Sequence, residues 1–268
     1  MTATITKEHS AMPFSVFSLN LWNLNQDYCE RMRRLDQYVS KADPEIICLQ
    51  EVSPQGESFR PQSDLVSTQN TQLMRLYSSQ NQWGEREEGL ATMASLPLIS
   101  FESFILPEAT GDGSRRLQIA AFNYSDQRIL VANTHLAFRL EQDAERVSQC
   151  KTIVRHLENA ARHHGTDAVV LVGDFNATPQ SAPVKTILES QLGLIDLFEG
   201  TEARANSFTY CSHSPHSDDN PGPSRWIDYM FATSRLTVSS AALALDGGNS
   251  GNHVSDHVAL FATFELVP

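Results

Sequence analysis

The chain lacks a long apolar run. None of its 268 residues lies in a stretch approaching 18 apolar positions, and the opening MTATITKEHSAMPFSV has no apolar segment of the secretory kind. The expectation is a cytoplasmic protein with no stable membrane insertion. Cysteine is scarce too: Cys29, Cys48, Cys150 and Cys211 lie far apart with no CxxC pair. That argues against a disulfide framework and for free thiols in a reducing compartment. Positive charge is also short, 20 Lys and Arg against 32 Asp and Glu, for a net charge of −12 and no basic tract. Such a chain is poorly suited to gripping duplex nucleic acid by neutralising phosphates. Nucleic acid as a substrate stays open, because bound divalent cations and a local basic patch reverse the field inside a cleft. With no internal repeat, low-complexity tract or long linker, residues 13–268 are expected to form one domain behind a flexible leader, residues 1–12.

What is present is patterned. Phe14 to Asn20 alternates as a strand, and Tyr28, Met32, Leu35 and Val39 recur at helical spacing until Asp43-Pro44 stops them. A short strand over 45–50 leads into Glu51, and residues 63–79 read as a second helix with Leu65, Leu73, Leu76 and Tyr77 as its stripe. Strands follow over 90–95, 99–106, 117–124 and 128–134. A long helix over 141–164 carries Val147, Cys150, Val154, Leu157 and Ala161 on one face. After a strand ending at Asp174 come a helix over 182–191 and strands over 226–232, 236–245 and 258–266, with a polar loop at 211–224. Hairpins expected around Pro97 and Asp126 make the sheets antiparallel or mixed.

The stretch AVVLVGDFNATP ends a buried strand in Asp174 and, two residues later, Asn176. Alternate side chains of an extended segment point the same way, so the two face one cleft together. A simple turn is the competing explanation, since Asp and Asn favour turns. The same event recurs, however. Strands also end at Asn20, Glu51 and His135, Asp228 lies within another, and Ser255-Asp256-His257 immediately precedes the last. Each alone has an ordinary structural explanation, such as Asp228 pairing with Arg225. Their joint placement at strand ends marks a site.

In chain order, SLNLW around Asn20, LQEV around Glu51, NTHL around His135, GDFN around Asp174 and Asn176, RWIDY around Asp228 and SDH ending at His257 resemble the endonuclease/exonuclease/phosphatase superfamily. The resemblance runs from about Phe14 to Leu266. It implies an α/β fold of the DNase I-like kind: a four-layer α/β/β/α sandwich, two mixed, mainly antiparallel sheets face to face with helices outside. It also implies a Mg²⁺-dependent hydrolase of phosphate esters, with Mn²⁺ as a substitute. On this resemblance Glu51 holds the metal, with Asn20 and Asp256 contributing or orienting. Asp174 positions or deprotonates the attacking water beside Asn176, Asp228 orients His257 and keeps it charged, and His135 meets the phosphate from another side.

The residue types suit that chemistry. Mg²⁺ prefers oxygen ligands and keeps several waters, so one or two carboxylates suffice. An ionised Asp is acceptor-only and orients a water, an Asn amide donates to a phosphoryl oxygen, and a carboxylate beside an imidazole favours its cation. NTHL, and Trp22 following Asn20-Leu21, are similar to members cleaving sphingomyelin and related phosphodiesters and to poly(A) deadenylases. Acidity and the lack of a basic tract make a small or phospholipid-type phosphodiester the first expectation, a nuclease on DNA or RNA the alternative, and an inositol-polyphosphate phosphatase the third. A non-catalytic binding protein is disfavoured because Glu51, Asp174 and His257 are all present. Arg115, Arg116 and Arg139 adjoin strands feeding the site, and surface ion pairs explain them more economically than phosphate binding. CSHSPH at 211–216 lacks a fourth ligand at zinc spacing.

Overall fold

The computed structural model describes residues 13–55, 61–67, 72–83, 86–111, 113–212, 214, 222–246 and 253–267. The expected leader and most of the 211–224 loop, His213 and His216 included, lie outside the described residues. One sheet contains β1 (Phe14–Asn20), β2 (Ile46–Val52), β3 (Met74–Trp83), β4 (Arg86–Ala94), β11 (Leu236–Ala244) and β12 (Ala259–Leu266), in the order β11-β12-β1-β2-β4-β3. The other contains β5 (Leu98–Ile105), β6 (Arg116–Tyr124), β7 (Gln127–His135), β8 (Val169–Asp174), β9 (Leu194–Asp196) and β10 (Asp228–Thr233), in the order β5-β6-β7-β8-β10-β9. Only β1/β2 and β7/β8 pair in parallel; every other pairing is antiparallel.

Helix α1 (Tyr28–Ala42) covers the outer face of the first sheet, its Met32, Leu35 and Val39 packing with Phe17, Leu19, Ile47 and Leu49. On the other side lie α2 (Asp143–His164) and α3 (Ala182–Leu188), with the short α4 (Glu202–Asn206) following β9. The four-layer expectation therefore holds. Period-2 alternation explains the layering. Phe14, Val16, Ile46 and Cys48 join the core shared with the second sheet, whereas Phe17, Leu19, Ile47 and Leu49 turn to α1. All four cysteines are free thiols. Among the described residues no helix is long and apolar enough to cross a membrane.

Four local expectations need correction. Residues 62–65 form only a 3-10 turn, and 74–83 is strand β3, not helix. Its inward residues Ser78 and Gln80 are polar, hydrogen-bonded to Gln118 and to the His135 carbonyl, so an apolar count misses the strand. No hairpin forms at Pro97, where the chain crosses from β4 in one sheet to β5 in the other. Asp228 opens β10 instead of lying inside a strand. On α2 the buried face is Arg146, Gln149, Cys150, Ile153, Leu157 and Ala160, with Val147, Val154 and Ala161 only half-buried. The Asp126 hairpin does form. Ser125 and Asp126, at φ 47° and 64°, make a two-residue turn whose twist suits paired strands.

Candidate active site

The alternation that builds the core also builds the site. His135, Asp174 and Asp228 sit side by side across β7, β8 and β10, as Cα partners in register. Opposite them, Asn20 ends β1 in the facing sheet and its Nδ2 donates to Asp174 Oδ2 at 3.0 Å and to Glu51 Oε1 at 3.0 Å. One amide thus bridges the two sheets and both carboxylates. Its Oδ1 accepts from the Trp22 backbone N–H at 3.0 Å, fixing the turn that follows.

Local backbone departures aim the other groups. Glu51 has φ 51° at a bulge between Leu49 and Val52, which turns its carboxylate towards the cleft mouth. Gly173 has φ 142°, and a Cβ there would meet the Thr134 carbonyl oxygen at 1.9 Å. That close approach keeps β7 and β8 in the register that sets His135 beside Asp174. Gly173→Ala is expected to cost about 3 kcal/mol or more in a urea melt, and a loss below about 1 kcal/mol would mean the strand yields freely. Asn176, at φ 49°, donates its backbone N–H to Asp174 Oδ1 at 2.8 Å. Phe175 between them turns into the core against Tyr229 and Phe231.

His257 Nδ1 pairs with Asp228 Oδ2 at 2.8 Å, and its Nε2 lies 3.7 Å from Asp174 Oδ2. Burial lowers its pKa, but Asp228, Asp174 and Asp256 together raise it well above the ordinary histidine value, so it is a cation. Burial, with Arg115 and His257 adding, holds His135 well below that value, and it is neutral. Arg115 Nη1 lies 3.1 Å from His135 Nδ1 and 3.7 Å from Glu88. Burial and the neighbouring Asp228 push Asp174, only 1% exposed, up to about 6. Glu51 is pushed up to about 8 by burial and then by Glu88 and Asp256.

Burial leads that shift, and the neighbouring carboxylates of Glu88 and Asp256 add to it. Glu51, Asp256 and Glu88 all line the cleft, and an all-oxygen donor set fits a hard divalent cation such as Mg²⁺ or Mn²⁺. Asp174, Asp228 and His257 also bring possible ligand atoms within 4.8 Å of one another. His257 Nδ1 is already engaged by Asp228 at 2.8 Å, and with Asp174 nearby the trio forms a hydrogen-bonded charge network.

All eight expected residues converge here: Asn20, Glu51, His135, Asp174, Asn176, Asp228, Asp256 and His257. Sequence reasoning missed others. Glu88 lines the cleft, as do Arg86, Arg225, Phe138 and Tyr210. Arg115, weighed as a surface ion-pair residue, is 1% exposed on the cleft floor, whereas Arg116 reaches Ser103 and Arg139 reaches the Gly111 carbonyl. Arg31 also went unseen. Buried on α1, it donates to the carbonyls of Leu21, Asn23, Asn25, Gln26 and Val254, tying the Asn20 turn to the loop bearing Asp256 and His257. An arginine on the apolar face of a helix was the available signal. Arg146 likewise holds the 137–140 loop through three carbonyls and so fixes Phe138, which is 42% exposed.

A family model described as Endonuclease/Exonuclease/phosphatase family matches residues 17–257. Tyrosyl-DNA phosphodiesterase 2 of Danio rerio is 23% identical over 274 aligned residues, 97% of this chain and 69% of that protein. Among solved structures, the human Nocturnin catalytic domain with bound sulfate anion superimposes with a TM-score of 0.76 at 21% identity, over 95% of this chain and 94% of that one. The Danio rerio TDP2 structure complexed with single strand DNA product gives a TM-score of 0.75 at 21% identity, over 94% of this chain and 98% of that one.

Proposed function

Because the chain belongs to the endonuclease/exonuclease/phosphatase family, and is thereby a phosphodiester hydrolase, we propose that residues 13–268 act as one catalytic domain on single-stranded nucleic acid, DNA or RNA, with a divalent cation. The observation carrying this reading is the composition of the cleft wall. Trp22, Phe138 and Tyr210 line it together with Arg86, Arg115 and Arg225, beside the carboxylates of Glu51, Glu88, Asp174 and Asp256. Aromatic faces stack bases while arginines meet phosphates, the usual pairing for a single strand. The name of the tyrosyl-DNA relative and the single-strand product in a structural neighbour agree with it. Nucleic acid thus displaces the small or phospholipid-type diester as the leading reading.

In this reading Glu51 and Asp256 hold the cation, while Asn20 positions Glu51 and Asp174 by donating to both. The cation, when bound, polarises a phosphoryl oxygen as a Lewis acid. Asp174 orients the attacking water and accepts its proton, and a pKa of about 6 suits that work near neutrality. His257, held through Nδ1 by Asp228, donates from Nε2 to a phosphoryl oxygen. Arg115 and the Asn176 amide supply further donors, and neutral His135 receives Arg115's hydrogen bond.

A hydrolysis panel tests the substrate. Labelled single- and double-stranded oligonucleotides, sphingomyelin and a glycerophosphodiester are incubated with Mg²⁺ or with chelator. Cutting of the single strand in Mg²⁺ alone is expected. Cleavage of sphingomyelin with every oligonucleotide intact would overturn the reading. Phe138→Ala is expected to raise KM for an oligonucleotide about tenfold, the worth of one stacked base, with kcat within about twofold. An unchanged KM removes Phe138 from the binding wall.

A further inference from the structure

Between the apolar core and the catalytic rim lies a layer of buried amides that the reaction itself does not use. Alternation sets it up. On β1 the residues sharing one face run Phe14, Val16, Ser18 and Asn20, and on β2 they run Ile46, Cys48 and Gln50. In the second sheet Asn133 stands two residues before His135 on β7, with Gln118 as its Cα partner on β6. Gln50 and Asn133 are fully buried, and Gln118 is 1% exposed.

These amides join the two sheets. Asn133 Nδ2 donates to the Leu49 and Ala91 carbonyls, each at 3.1 Å, both in the first sheet. Two carbonyl partners fix which end of that amide is the donor. Asn133 Oδ1 is then the acceptor, and Gln50 Nε2 donates to it at 2.8 Å. Gln118 Nε2 reaches Ser78 Oγ and the Leu90 carbonyl at 3.0 Å, while its Oε1 accepts from Thr92 Oγ1 at 2.7 Å. Gln50 Oε1 is buried with no hydrogen-bond partner among the described residues, a cost that an apolar residue of the same volume avoids. Apolar contact is non-directional and tolerates sliding, whereas hydrogen-bonded amides hold one arrangement.

The site depends on that arrangement, because its residues are split. Asn20 and Glu51 come from the first sheet, and His135, Asp174 and Asp228 from the second. The bond from Asn20 Nδ2 to Asp174 Oδ2, at 3.0 Å, spans the gap. A slide of about 1 Å would open it, and a misplacement of that size can cost about 100-fold in rate. We propose that Gln50 and Asn133 are positioning residues: their bond, backed by Gln118, locks the sheets so that the Glu51 and Asp174 carboxylates keep their working separation. The proposal rests on the catalytic roles given to Glu51 and Asp174, and it holds whichever phosphodiester is the substrate.

Gln50→Met combined with Asn133→Leu tests it by exchanging both amides for apolar side chains of similar size. Removing both partners of a buried pair is nearly neutral for stability, so Tm is expected within about 4 °C of wild type. Turnover of bis(p-nitrophenyl) phosphate in saturating Mg²⁺ is expected to fall about 100-fold, with KM within about twofold. A crystal structure of the metal-free variant is expected to show Asn20 Nδ2 beyond about 3.5 Å from Asp174 Oδ2. Gln50→Met alone keeps both carbonyl bonds of Asn133 and serves if the pair does not fold, with a fall of about tenfold expected. Ile153→Val, a core change on α2, is expected to lower Tm and leave kcat unchanged, which separates lost positioning from lost stability. Asp174→Asn is measured alongside. If it is inactive while the apolar pair either turns over within about threefold of wild type or leaves Asn20 in place, the positioning role is overturned and the catalytic reading stands. If Asp174→Asn itself keeps turnover, both fall.

Discussion

Replacing Asp174 with asparagine is expected to lower turnover of bis(p-nitrophenyl) phosphate about 10³-fold in saturating Mg²⁺, with the fold retained. The side chains are nearly isosteric, but the amide offers one oxygen where Asp174 uses two, so only one of the bonds accepted from Asn20 Nδ2 and from the Asn176 N–H can persist. What disappears is a buried carboxylate that lies within 4 Å of both site histidines, at 3.6 Å from His135 and 3.7 Å from His257. An amide neither accepts a proton from water nor balances the His257 cation. The pH profile provides a second check. Burial and Asp228 raise Asp174 to about 6, so wild-type kcat/KM rises as pH increases up to that value and the carboxylate becomes ionised. The cation can draw this limb lower. Turnover within about tenfold of wild type, with the acidic limb unmoved, would assign proton removal to another group.

Glu51→Gln is expected to remove the dependence of stability on metal. Glu51 is raised from 4.5 to about 8 by burial, Glu88 and Asp256. The folded state therefore binds this proton more tightly than the unfolded chain. The resulting stability is complete below about pH 4.5 and is lost as pH rises through about 8. Solvent reaching the half-buried residue trims the swing to ~3 kcal/mol. In metal-free buffer the wild type should melt progressively lower as pH rises through that window, and the glutamine variant should not follow it. Mg²⁺ at about 100 times its Kd should add ~2.7 kcal/mol to the wild type and far less to the variant. Thermal melts against pH and Mg²⁺ give both readings without an activity assay. Equal stabilisation of both proteins by Mg²⁺ would place the cation elsewhere.

Much of this was legible in one dimension. The ends of β1, β2, β7 and β8 carry polar residues after apolar runs, and a run that breaks at a carboxylate or histidine is visible without coordinates. The α1 stripe was equally clear, since Met32, Leu35 and Val39 do face the core. The 63–79 segment was misread because β3 is an edge strand whose inward positions hold Ser78 and Gln80. Spacing of apolar residues is silent when the buried side chains are polar and hydrogen-bond to a facing strand. Pro97 misled for another reason: a turn between two strands looks the same whether they pair or part into separate sheets.

The sequence by itself determined which residues end the strands, and so which groups can meet at one rim of the sandwich. Alternation at period 2 sends those side chains inward wherever the strands pair. The tertiary structure alone decided what surrounds them. Glu88, Arg115, Phe138, Tyr210 and Arg225 come from β4, the residue just before β6 and three loops, and no local pattern links positions so far apart. Nor could a net charge of −12 foretell three arginines in one cleft. Charge sums over the whole chain, whereas the field that a phosphate meets depends on which side chains folding brings within a few ångströms.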